Sequence, residues 1–327
     1  MAKVTLRTPT DSYVTRYPKL VEFTRKQLNE FYWKENEIVV EKDKHKLMTS
    51  LTDAERHAVV EASKLFVEYE LFIGEEYWSS RVSKMFPRPE VKRLCAAFAM
   101  TELCIHAPFY AQLNEALNLS NDDFWTAWKK DPVLSARMNH LQELANTEDD
   151  RLSLAIFSLM EGAILTSNFA LFKSFNQNGN DELINFGAGI NQSAIDEDLH
   201  HEAGAYLFRT DVKESSLSKS EKQDLFIRIQ EAAKVLGEHE FAVIEKYHEM
   251  GDLRGAKKSD FTTFVKYRIN HCLGNLGVDP VYIIEGEPNP IKAWFGDSIT
   301  KGYISNDFFN SLGREYSSHW NEDKFVW

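Results

Sequence analysis

The sequence predicts an all-α protein, a helical bundle with carboxylates in its core. Apolar residues recur at three- and four-residue spacing from about Lys19 to about Asn275, with almost no strand alternation. Prolines and turn residues cut that stretch into segments of helix length. Three segments far apart, Thr101–His106, Phe157–Glu161 and Asp196–His200, place acids where a helix should be apolar, and two add a histidine one turn later. An ionised carboxylate inside an apolar stripe is expensive unless it is paired or bound to metal. A core that needs several such groups points to a bound metal pair and redox chemistry.

A first helix is expected over Leu20–Tyr32 and a long second one from Thr52 to about Lys84, stopped by Pro87 and Pro89. The third runs from Glu90 to near Leu117, where Asn118 to Asp122 supply a turn and the next cap. Further helices are expected over Phe124–Ala145, Asp149–Phe175, Asp181–Leu207, Glu221–Glu249 and Phe261–Cys272. Glu285 to Pro290 is a turn-rich break, and after Lys301 the pattern is mixed. No internal repeat of solenoid period is present.

At 327 residues the chain can bury a sizeable core. Its net charge of −12, with no basic block to offset it, argues against a nucleic-acid partner. Cys95, Cys104 and Cys272 are too few and too scattered for a disulfide framework or a zinc knuckle, and are expected as small buried hydrophobes. The first residues lack an apolar core of signal-peptide length, and no window approaches 18 apolar residues. No membrane partner and a cytoplasmic location are therefore expected.

Glu161 lies in a stripe with Leu154, Phe157, Ile164, Leu165, Asn168 and Phe169. In the second helix Ala62, Phe66, Glu70, Ile73 and Tyr77 share a face, but Glu68, Glu75 and Glu76 compete with Glu70 on periodicity alone. Glu197 and His200 stand three apart and project to one side of a helix. Di-metal carboxylate bundles combine single Glu residues on two helices with Glu-x-x-His pairs on two others. Here the fourth helix departs from that rule, because Glu102 and His106 are four apart. Pro108, two residues on, lacks an N–H and would crowd the carbonyl of Cys104 in a regular helix. An extra residue before a proline predicts a π-bulge between Glu102 and Pro108. Tyr110, four residues beyond His106, falls on the same face and within a turn of the expected metals.

At these residues the chain resembles the small, radical-generating subunit of class I ribonucleotide reductase, from about Leu20 to Tyr316. The run from Leu51 through Phe66 resembles the family's approach to its first carboxylate ligand and selects Glu70. Phe98–Glu102 with His106–Tyr110 matches the second carboxylate, first histidine and radical tyrosine, while Glu161, Glu197 and His200 supply the remaining ligands. Phe31-Tyr32-Trp33 resembles the segment whose tryptophan relays the radical, and Asp196 matches the aspartate joining it to a metal-bound histidine. Asn289-Pro290-Ile291 and Trp294 resemble a late signature, and Asn306 to Tyr316 the run into the tail.

The resemblance implies a ferritin-like di-metal bundle over 1–310 and, over 311–327, a tail that docks on a separate large subunit. It implies a homodimer whose metal pair reacts with dioxygen or a reduced oxygen species. Tyr110 then holds a radical that passes through Asp196, Trp33 and Tyr316 to the large subunit, where ribonucleotides are reduced. Phe169, by helix spacing, is expected to shield Tyr110 from water. Two irons are the expected cofactor, and Mn/Fe or Mn/Mn suits the same donors. The competing function on this fold is a stand-alone di-metal ligand-binding oxidase, against which the relay residues and the tail argue.

Overall fold

Local caps set most helix starts. Thr52 and Glu55 form a reciprocal capping box at the head of the second helix, with Thr52 N–H donating to Glu55 Oε2 at 2.8 Å. Ser218 and Glu221 repeat the device, and the carboxylates of Asp131 and Asp149 accept the first free N–H groups of their own helices. The computed structural model describes residues 4–177, 181–285 and 289–301. Among these the principal helices are α1 (18–30), α2 (53–85), α3 (89–116), α4 (132–145), α5 (150–174), α6 (184–214), α7 (219–247), α8 (258–276) and α9 (290–301), and no strand occurs.

Helices α2, α3, α5 and α6 form the central bundle. Helix α1 packs on α3, α7 lies against α2, α4 and α5, and α8 packs on α5, α6 and α7. The face of α2 read from the sequence is the buried one, since Ala62, Phe66, Glu70, Ile73 and Tyr77 all point inward. At Gly74 an added Cβ would lie 2.7 Å from Leu103 Cγ and 3.1 Å from Glu102 Cβ, so a side chain there would have to displace Leu103.

The π-bulge expected between Glu102 and Pro108 is present. The helix is π over Glu102–His106, with the N–H of Ala107 bonding the carbonyl of Glu102 five residues back. Three further π segments occur: Lys26–Glu30 ends α1, while Ile73–Val82 and Met160–Ile164 interrupt α2 and α5.

Other boundaries differ for identifiable reasons. The helix expected over Phe124–Ala145 is split, because Asp131 caps a new helix with Pro132 in its first turn. Helix α6 ends at Glu214 instead of Leu207. Its last turns are held by the N-terminal segment: Arg7 pairs with Asp211 at 2.7 Å, and Tyr17 donates to Glu214 at 2.8 Å. A helix absent from the expected set, α9, starts where Asn289 Oδ1 accepts the N–H of Lys292 and Pro290 takes the first position. Cys95 and Cys272 are buried as expected, but Cys104 is exposed, because Glu102 and His106 take the inner face of its turn.

The expectation that no segment is apolar enough to span a bilayer also needs correction. Pro89–Ala116 and Asp150–Ser174 reach that length and composition. Every residue of the apolar window in the second is buried inside the bundle, so its apolar character is used by the core. The boundary at 310/311 and Tyr316 lie outside the described residues.

Candidate metal centre

Glu70 precedes the π segment of α2, Glu102 and His106 open and close that of α3, Glu161 lies in that of α5, and Glu197 and His200 share one turn of α6. All six side chains are fully buried. Their ligating atoms form two groups, Glu70, Glu102, His106 and Glu197 in one and Glu102, Glu161, Glu197 and His200 in the other, each spanning less than 4.8 Å. Glu102 and Glu197 belong to both. Glu102 puts Oε2 2.8 Å from His106 Nδ1 and Oε1 2.6 Å from His200 Nδ1. Glu197 does the same with Oε1 at 3.0 Å and Oε2 at 3.4 Å. Glu70 Oε2 lies 3.8 Å from His106 Nδ1, and Glu161 Oε1 lies 4.0 Å from His200 Nδ1. The donors therefore make two half-sites joined by two carboxylates, each half with its own terminal Glu and His.

The electrostatics show what such a centre lacks. Burial, reinforced by Glu197, pushes the Glu70 and Glu161 carboxyls well above the usual range. Burial and Glu197 also press Glu102 upward, but His200 and His106 outweigh them and hold it low. Burial opposes charge on both imidazoles, yet Glu102 and its neighbours raise His106 well above its ordinary value and His200 to about 10. Despite these short distances, both oxygens of Glu70, Glu102 and Glu197, one of Glu161, and Nδ1 of both histidines make no hydrogen bond of good geometry. Buried polar atoms are normally satisfied. Two cations would satisfy all of these at once, with carboxylate oxygens and imidazole nitrogens as donors.

The outer nitrogens of the two rings are each held. His106 Nε2 lies 3.0 Å from Asp196 Oδ2, and His200 Nε2 lies 3.0 Å from Gln27 Oε1. These bonds turn both Nδ1 atoms toward the centre. The Trp33 indole N–H donates to the same Asp196 Oδ2 at 2.9 Å, so one carboxylate oxygen joins Trp33 to His106.

The family model described as "Ribonucleotide reductase, small chain" matches residues 11–290. The chain belongs to the ribonucleotide reductase small-chain family. Its relatives include the probable ribonucleoside-diphosphate reductase small subunit 048L of Invertebrate iridescent virus 3, 25% identical over 311 residues, covering 88% of this chain and 78% of that protein. The ribonucleoside-diphosphate reductase subunit beta of Bacillus subtilis (strain 168) is 29% identical over 231 residues, covering 67% of this chain and 65% of its own. The dimanganese(II)-NrdF of Streptococcus sanguinis shares the fold with TM-score 0.75 at 19% identity, covering 89% of this chain and 99% of that one. The R2 subunit of Clostridium botulinum gives the same TM-score and identity over 87% and 89%. The small chain is thus the beta subunit of an oxidoreductase, ribonucleoside-diphosphate reductase, built as a ferritin-like bundle around a di-metal carboxylate site.

In this small chain Tyr110 is fully buried one turn from His106, with ring centroids 6.0 Å apart. It stacks on Phe66 at 3.9 Å, and Phe169, the expected shield, and Phe186 complete the wall at 6.5 Å and 6.4 Å. Its hydroxyl makes no hydrogen bond of good geometry, although Ser193 lies close enough to act on it. Burial and the charge of Glu70 keep the phenol protonated far above its ordinary range.

Two participants escaped the sequence reading. Gln27 Nε2 donates to Asp196 Oδ1 at 2.9 Å, closing a path between the two histidines. The signal was present, since Gln27 is a polar residue in a buried stripe with Leu20, Phe23 and Thr24. Trp78 donates its indole N–H to Glu161 Oε1 at 2.8 Å. Helical periodicity assigns the inner face to its neighbour Tyr77, and only the wide π turn buries both.

Proposed function

We propose that Glu70, Glu102, His106, Glu161, Glu197 and His200 hold two iron ions and that Tyr110 stores the oxidising equivalent for ribonucleotide reduction. The observation that carries this reading is the pair of buried donor groups sharing Glu102 and Glu197, with Tyr110 beside one of them. When bound, the metal pair supplies the oxidising power drawn from dioxygen. Glu102 and Glu197, which belong to both donor groups, would help hold and neutralise both cations, and the outer hydrogen bonds of His106 and His200 fix which nitrogen faces the centre.

Tyr110 is a phenol in an apolar pocket, so it gives up an electron only together with its hydroxyl proton, and Glu70 is the carboxylate that acts on it most strongly. Phe66, Phe169 and Phe186 keep water from the oxidised ring. Asp196 Oδ2 holds Trp33 and His106 together, which makes Trp33 the exit from the centre. From there the radical passes to Tyr316 and onto a large subunit docked by residues 311–327, in a homodimer acting in the cytoplasm.

Metal analysis and electron paramagnetic resonance after aerobic loading with iron test the centre. Two irons per chain and a tyrosyl signal are expected, with Tyr110→Phe losing the signal and keeping the metal. An unchanged signal in that variant removes Tyr110 from the role, and manganese in the protein as isolated replaces iron as the metal. A chain ending at residue 310 is expected to keep the tyrosyl signal but to fail in pulldown of the large subunit; full binding by that chain sinks the docking role.

A further inference from the structure

Away from the buried centre, two other imidazoles come together outside the central bundle. His140 is on α4 and His239 on α7, helices that pack against each other. Their ring centroids are 5.0 Å apart, with planes inclined by 34°. Both residues are half-buried, so solvent reaches the pair. Nε2 of His140 is itself buried and has no hydrogen-bond partner, which is unusual for a polar atom in that position.

That spacing is the one a shared cation requires. With ~2.0–2.1 Å from the ion to each imidazole nitrogen and a tetrahedral angle, ring centroids stand roughly 5 Å apart, so closure needs the rings to turn but not α4 to move against α7. Burial, then His140 and Arg137, hold the proton affinity of His239 below its ordinary value. The ring is therefore neutral at pH 7, the form that ligates metal. Arg137 leaves no excess of positive charge, because Glu240 lies 2.6 Å from it and Glu238 acts on His239 with the opposite sign. Glu143, exposed one turn beyond His140, adds an oxygen donor on the same helix face. A second imidazole pair outside the centre, His201 and His271, differs on both counts. Its centroids are 6.4 Å apart, and Asn275 Nδ2 already contacts both Nε2 atoms, at 3.0 Å and 3.3 Å.

We propose that His140 and His239 form an outer metal site that takes one late first-row divalent ion, Zn(II) or Ni(II), with Glu143 and water completing the coordination. Neither α4 nor α7 supplies a donor to the buried centre, so the two sites fill independently. The donors also select different ions. Two imidazoles favour metals toward the end of the affinity order from Mn(II) through Fe(II) to Ni(II), whereas the carboxylate-rich centre suits manganese and iron. An ion in the outer site clips α4 to α7, and zinc, which has no redox chemistry, acts there on stability alone.

The test is equilibration of the iron-loaded full chain with Zn(II), followed by desalting, metal analysis and thermal unfolding, with crystals read by anomalous scattering at the zinc edge. Wild type is expected to keep one zinc that His140→Gln and His239→Gln each lose, and to gain several degrees in Tm when zinc is added. Only the difference between wild type and variant counts, so zinc held by other groups, the buried donors included, does not enter. Because the ion needs both rings, the double variant should lose no more zinc than either single one. Unchanged iron content and helical circular dichroism in the variants exclude misfolding as the cause of the loss. The anomalous peak is expected between the two rings, and it is read on wild type, so it decides the matter whatever the stability of the variants. Equal zinc in wild type and both variants, or a peak away from His140 and His239, overturns the inference.

Discussion

At the scale of single residues, the centre depends on side chains whose job is to exclude or to orient. Phe66 is the clearest excluder, lying parallel to Tyr110 within 7° and also packing on Phe169 and Phe172. Phe66→Ala removes that lid and leaves a cavity, at a cost of about 3–5 kcal/mol for a buried aromatic. The expected result is a tyrosyl radical that forms but decays many-fold faster, with lower thermal stability. Phe66→Leu keeps the pocket apolar and should recover most of the lifetime. The decay of the radical signal in the two variants separates loss of shielding from loss of fold, and equal lifetimes would show that the lid has no role. Asp196 is the counterpart among orienting residues, since it accepts from Trp33 and Gln27 while holding His106. The sequence showed it as one acid beside Glu197, and only contacts to α1 and the segment after it reveal what it orients.

At the scale of elements, α6 carries Glu197 and His200 on a helix whose head has no local cap. Leu183 occupies the cap position, and the distant Asp43 substitutes for it, accepting the N–H groups of Asn185 at 3.2 Å and Phe186 at 2.7 Å. Asp43→Ala should cost about 0.5–2 kcal/mol, the usual value of an N-cap. Because the proposed ligands Glu197 and His200 sit about three turns further along, metal stoichiometry should stay unchanged while the denaturant midpoint falls. A midpoint equal to wild type would show that the helix head needs no cap. No local pattern announces this contact, and the same holds for the extension to Glu214, which depends on Arg7 and Tyr17. Local signals were sufficient elsewhere. Thr52, Pro87 and Pro89 bounded α2, and Pro108 with one extra residue announced the π turn that brings Glu102 and His106 to one face. The π segments at Ile73–Val82 and Met160–Ile164 have no such proline, so they were not legible.

For the whole molecule, four helices that meet at one point each bring a carboxylate into an apolar core, and these groups repel one another unless cations intervene. In the absence of metal the balance falls to protons. Glu70 and Glu161 retain theirs well above the usual carboxylate range, and His200 is protonated up to about pH 10. Metal binding must displace these protons, so affinity rises with pH toward neutrality and falls as acid competes for the same donors. Bound ions also join α2, α3, α5 and α6, and a ligand that binds only the folded chain stabilises it by mass action. At a free concentration a hundredfold above Kd, that gain is about 2.7 kcal/mol per site. Removing metal with a chelator should therefore lower Tm by several degrees, the shift should shrink as the pH is lowered, and Fe(II) or Mn(II) should restore it. Glu161→Ala, which removes a terminal donor, should reduce the metal-dependent part of the shift. A Tm indifferent to both chelator and added metal would mean that these six buried side chains are balanced by protons alone, and the centre would lose its assignment.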